Sequence, residues 1–152
     1  MTLYSLIKYL HVLLAIVAVG FNMTYAIWIM RAAKEPAHLS FALRGIKTLD
    51  DRFANPAYAF LLITGLAMVF VGGIPLTTFW IGAALVLWIA AVLIGLFLYT
   101  PTLRNQIAVL EKDGASSAEF QQLSQRGTIL GIVLAVIVLV IVFLMVTKPT
   151  LG

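Results

Sequence analysis

The chain has 152 residues, 62% of them hydrophobic and only 11% charged, with mean hydropathy +1.07; about a quarter of an ordinary soluble domain is charged, so that class is excluded. The length suits one domain. The formal charge of +4 does not point to nucleic acid, because the basic residues flank apolar stretches instead of forming an arm, and the lack of cysteine excludes disulfides, thiolate metal sites and cysteine nucleophiles.

Four stretches approach the roughly 20 apolar residues that cross a bilayer. The first runs from Tyr9 to Met30. It is too long for a signal-peptide core and ends without a small-residue cleavage site, so it reads as a retained helix. On a helical period His11, Ala15, Ala18, Asn22 and Tyr25 share its most polar and smallest face, which should point into a bundle. Asn22 and Tyr25 are expected to make interhelical hydrogen bonds. His11 is the one ionisable residue inside any of the four stretches. An intramembrane ionisable group is a candidate functional site by default; the other reading is an interface histidine bonded to a carbonyl or water.

The following loop contains Leu39, Ala42, Leu43 and Ile46 at helical spacing, with Arg44 and Lys47 on another face. This pattern predicts a short amphipathic helix lying on the membrane surface. Asp50 and Asp51, among Lys47 and Arg52, are expected to form ion pairs. Asn55-Pro56 reads as an N-cap followed by a first-turn proline. The second span is expected over 53–71, and Thr64-Gly65 within it reads as packing.

The third span is expected over 78–99, stopped by Thr100-Pro101, with Leu103 to Leu110 prolonging the helix beyond the bilayer. Ser116 and Glu119 fit a capping box, and a helix from Ser117 runs on into the fourth span, 128–146. Gly127, Gly131 and Ala135 on the fourth span, and Ala84, Ala91 and Gly95 with Trp88 on the third, mark faces where helices approach closely.

Arg31, Lys34, Arg44, Lys47 and Arg52 lie in the first loop and Arg104, Lys112 and Arg126 in the second; only Lys8 and Lys148 lie on the opposite side. The positive-inside rule then places both loops in the cytoplasm and both termini outside. The expected fold is an all-α integral membrane four-helix bundle, a single transmembrane domain.

A lone inward histidine in such a bundle suits haem, since imidazole is a common axial ligand and bundle cores hold cofactors. His38 lies a bilayer away and does not share an iron with His11. Met145 and Met68 lie at a similar depth to His11, and His/Met ligation has precedent; the other role of methionine is gap filling. Lys148 is a candidate for a haem propionate, or a snorkelling anchor. Hydrolytic, phosphate-binding and ion-coupled transport motifs are not found.

Lys8-Tyr9-Leu10-His11-Val12-Leu13, Asp51, Pro56, Thr64-Gly65 and Val146-Thr147-Lys148-Pro149 resemble a family of predicted bacterial integral membrane proteins of unknown function, over nearly the whole chain. That group looks similar in layout to the HemJ-type protoporphyrinogen oxidase and to the membrane domain of CopD-type copper-resistance proteins. The HemJ likeness implies haem b on a span-one histidine, matching His11, and a lysine near the end of the last span, matching Lys148. This chain departs from it in having no second intramembrane histidine. The leading expectation is a haem-associated inner-membrane protein in electron transfer or tetrapyrrole handling. The alternative is a non-catalytic structural or assembly subunit of a larger membrane complex, either as a homo-oligomer or with other membrane subunits.

Overall fold

The computed structural model describes residues 2–150. Within them four helices, of 30, 36, 35 and 30 residues, are long and apolar enough to cross a membrane. The first is α1, Leu3–Ala32. It starts earlier than the apolar pattern suggests because Thr2 caps it, its hydroxyl accepting the Ser5 N–H at 3.2 Å.

The second long helix joins α2, Pro36–Leu49, to α3, Asn55–Val71, through a π-helical turn at Asp50–Ala54. The amphipathic segment is therefore a continuation of the second span and does not lie flat on the surface. Its apolar stripe is used as expected, with Leu39, Leu43 and Ile46 buried. Asn55 is not an N-cap. Proline lacks an N–H, and its ring collides with the carbonyl four residues back. Here the helix widens instead of breaking, and the Asn55 N–H bonds to the Asp50 carbonyl. The helix ends at Gly72 and Gly73; Gly73, at φ +62°, takes the left-handed position that only glycine adopts at little cost.

The third long helix repeats the device. Its parts are α4, Phe79–Ile94, a π turn at Gly95–Tyr99, and α5, Thr100–Asp113. Thr100-Pro101 does not stop it, because the Thr100 N–H reaches back to the Gly95 carbonyl. Isolated π turns are uncommon and concentrate at functional positions. After a turn at Gly114, α6 spans Ala118–Thr147. Its cap is Ser117, one residue beyond the expected Ser116, with the Ser117 hydroxyl accepting the Phe120 N–H at 3.2 Å.

The helices form two antiparallel pairs. One pair is α1 with α3, tied by Phe21 against Phe53 with ring centroids 5.5 Å apart. The other is α4–α5 with α6. The small-residue face of α6 lies against the third long helix, where a side chain at Gly127 would meet Gln106 and Thr102 and one at Gly131 would meet Tyr99; Gly95 is not part of that contact, since a side chain there would meet nothing within 4 Å. The pairs join at the end that carries the two long loops, where α2 packs on α5 and α1 on α6. Tyr25, Ala32, Leu39, Leu43, Ile46, Leu103 and Phe120 form the buried core there, with Leu43 fully enclosed. Arg44 of α2 reaches Glu111 of α5 with its Nε at 2.8 Å, an exposed ion pair that adds at most about 1 kcal/mol. Long apolar side chains such as Ile132, Val136, Leu139 and Phe143 of α6 face outward, as they do where lipid is the solvent.

Candidate functional site

The expected inward stripe of α1 is borne out, since Ala18 and Tyr25 are buried and His11, Ala15 and Asn22 are half-buried. His11 packs on α3. A Cβ added at Gly65 would sit 3.2 Å from His11 Cε1, so the missing side chain is what lets the imidazole lie against that helix. His11 Nδ1 lies 2.8 Å from the Thr64 hydroxyl. That hydroxyl has one proton, and it is placed to donate to the Phe60 carbonyl at 2.7 Å. Its lone pair then accepts from His11 Nδ1–H. The Leu61 carbonyl, 3.2 Å from the same hydroxyl, is its second acceptor. This arrangement selects the tautomer with Nδ1 protonated, which leaves Nε2 with a free lone pair. Thr64-Gly65, legible in the sequence only as packing, thus positions the histidine.

The other candidates do not gather around His11. Gly65 faces His11 and Gly72 faces Tyr4, so Met68 between them lies along the seam of α3 with α1, one helical turn beyond Thr64. Met145 and Lys148 belong to the other pair. Lys148 sits with its ammonium 5.4 Å from the Trp80 ring centroid, an attraction of about 0.5–1 kcal/mol at an exposed site. His38 is at the opposite end, on the surface, with Nδ1 2.8 Å from Glu35. Among the described residues no three His, Cys, Asp or Glu side chains gather as a metal site. His11 therefore stands apart from the other candidates, its ring held between Thr64 and Gly65.

Farther along the same seam Asn22 donates to the Tyr58 hydroxyl at 2.5 Å and to the Ala18 carbonyl at 3.0 Å. The expected interhelical bond of Asn22 is present, with a partner the sequence did not single out. Tyr25 differs from expectation, because its hydroxyl is buried without a hydrogen-bond partner.

Asp50 also differs. It is Asp51 that pairs with Lys47, while Asp50 is 5% exposed and accepts from Asn55 Nδ2 at 3.3 Å and from Thr100 at 3.5 Å. The Thr100 contact links the two helix pairs at their π turns. A signal for this existed: Leu39, Leu43, Ile46 and Asp50 continue one helical stripe, so Asp50 inherits a buried position. It lies beside Lys47, Asp51 and Arg52, just beyond the second apolar span. Burial first, and then the charge of Asp51, raise its carboxyl above the usual carboxylate range.

A family model described as a predicted integral membrane protein matches residues 5–149. The chain belongs to this family, DUF2269. No curated protein and no solved structure matches, so the likeness in layout to HemJ-type and CopD-type proteins is not supported by either comparison. Membership agrees with the four membrane-length helices; the family's description names no activity.

Proposed function

We propose that this membrane protein is a haem-associated module of the bacterial inner membrane in which His11 supplies an axial nitrogen. The observation behind this reading is the pair of contacts on the ring: Thr64 bonds Nδ1 and Gly65 lies against the imidazole, while among the described residues Nε2 makes no hydrogen bond. A ligating histidine characteristically donates its other N–H to a protein acceptor, which sets its tautomer and basicity. The donor atom fits haem iron. Among the described residues the second histidine, His38, lies at the other end, so His11 would supply the one imidazole, and Met68 on the same seam is the next candidate for contact. Haem, when bound, supplies one-electron chemistry or is itself the cargo. The chain's own part is to hold the imidazole in one tautomer and orientation inside an apolar bundle.

Lys148 is engaged by Trp80 in this arrangement, which favours its role as an end anchor over that of a propionate ligand. The eight basic residues of the loops against Lys8 and Lys148 support termini outside and loops inside. Single cysteines introduced into this cysteine-free chain at Glu35 or Ser116 are expected to react with an impermeant maleimide only after the cytoplasmic side is opened.

The haem reading is tested on protein purified in detergent after expression with haem precursor, or after titration with haemin. A Soret band with reduced α and β bands, saturating at a fixed haem-to-protein ratio, is the expected result. A spectrum containing only protein absorption after haemin addition would sink the reading and favour the assembly-subunit alternative. That alternative cannot draw on Gly127 and Gly131, which are used within the chain.

A further inference from the structure

The loop end of the bundle holds a polar group that the haem reading does not use. Asp50 is almost fully enclosed, and no ammonium or guanidinium bonds it; Lys47 is committed to Asp51. Its two hydrogen bonds, at 3.3 and 3.5 Å, are long for a carboxylate, whose charge-assisted bonds are usually shorter than about 3 Å. An ionised buried carboxyl so weakly served is costly, whereas a protonated one is neutral and can itself donate.

The second observation comes from the other side of the seam. Tyr25, 4% exposed, presents a buried hydroxyl with no partner. Among the charges acting on it, Asp50 is the strongest. Tyr58 of α3 and Tyr99 of the second π turn also lie within electrostatic range of Asp50. The titratable groups around Asp50 are therefore Tyr25 from α1, Lys47 and Asp51 from its own helix, Tyr58 from α3 and Tyr99 from the third long helix.

We propose that Asp50 is a proton-binding carboxyl at the loop end of the bundle. Loading adds one proton to the Asp50 carboxylate from a hydronium ion, which leaves as water; unloading is the reverse. The site is independent of His11, which lies in the other half of α1 on the far side of Asn22. The desolvation already described acts in the same direction, favouring the neutral acid.

The test is infrared spectroscopy of the full chain in lipid vesicles over a pH series, in H2O and in D2O. A deuterium-sensitive carbonyl band of a protonated carboxylic acid is expected. It should titrate above the ordinary Asp value of about 3.9. The band should vanish in Asp50→Asn and persist in Asp51→Asn. Thr100→Val removes a donor to the ionised form, so the midpoint should rise further, and this variant leaves the carboxyl in place if Asp50→Asn fails to fold. A band that is absent, that titrates at the ordinary value or that survives Asp50→Asn overturns the proposal. So does a midpoint that falls when sodium replaces choline, which would make the site one for a metal cation. A midpoint that falls in Thr100→Val overturns it as well.

Discussion

On the proposed haem reading, His11→Ala eliminates the Soret band of the purified, haemin-loaded protein, while Thr64→Val leaves a band but weakens haem binding about 10–100-fold, the range for loss of an outer-shell partner. The two variants separate ligand from support. Alanine at 11 removes the only imidazole on the α1–α3 seam among the described residues. Valine at 64 keeps the volume of the side chain that meets the ring but removes the oxygen that accepts Nδ1–H. The imidazole itself remains, which is why the loss is partial. Haemin titration followed by absorbance, on protein whose helicity is verified by circular dichroism, reads both effects. Equal haem uptake by wild type and His11→Ala would remove His11 from the account.

The second large effect concerns the joint between the helix pairs. Leu43→Ala is expected to destabilise the protein by about 2–5 kcal/mol, the usual cost of emptying a fully enclosed leucine site. Leu43 is 0% exposed, on α2, in the cluster that also contains Leu103 of α5 and Phe120 of α6. Leu43, Leu103 and Phe120 lie at the loop end, outside the four apolar runs, where water is the competing solvent and burial of apolar surface drives association. Leu139→Ala on the outer face of α6 is a matched control, since its side chain is 52% exposed and meets lipid in folded and separated helices alike. Thermal unfolding in detergent should show a clear loss for the first variant and little for the second. Similar losses for both would mean that the two pairs are not held together at this cluster.

Much of this architecture is legible in the sequence for a physical reason. A bilayer demands long apolar runs, and only a helix satisfies the backbone there, so runs ending near Arg31, Gly72, Tyr99 and Lys148 define the spans almost directly. The stripe at Leu39, Leu43 and Ile46 was equally plain, because amphipathic spacing states which face is buried. What the spacing did not reveal is how that face is oriented. A helix lying on a membrane and one packed on a neighbouring helix have the same pattern, and the choice is made by α5, distant in sequence.

The two prolines misled in the same way. Asn55-Pro56 and Thr100-Pro101 carry the local chemistry of a start and a stop, yet each sits just after a π turn that lets its helix continue. Tertiary packing on both sides of the kink decides this, and no local signal encodes it. Asp50 was hidden by composition, since four charged residues at Lys47, Asp50, Asp51 and Arg52 resemble a solvated loop. Helical phase separates them, sending Asp50 inward and Asp51 to Lys47. The importance of His11 followed from its isolation, but its orientation depended on Thr64 and Gly65, a contact between residues more than fifty positions apart.

The measurement that tests the account most directly is nitrogen NMR of protein carrying ¹⁵N-labelled histidine, before and after addition of a diamagnetic zinc porphyrin. His38 is identified by its exposure and removed in His38→Ala. The account predicts that His11 has a protonated Nδ1 and a bare Nε2, and that the Nε2 resonance moves when the porphyrin is added while Nδ1 keeps its proton. A protonated Nε2 in the free protein, or an Nε2 signal indifferent to the porphyrin, would contradict the claim that this membrane bundle holds His11 as an open axial ligand.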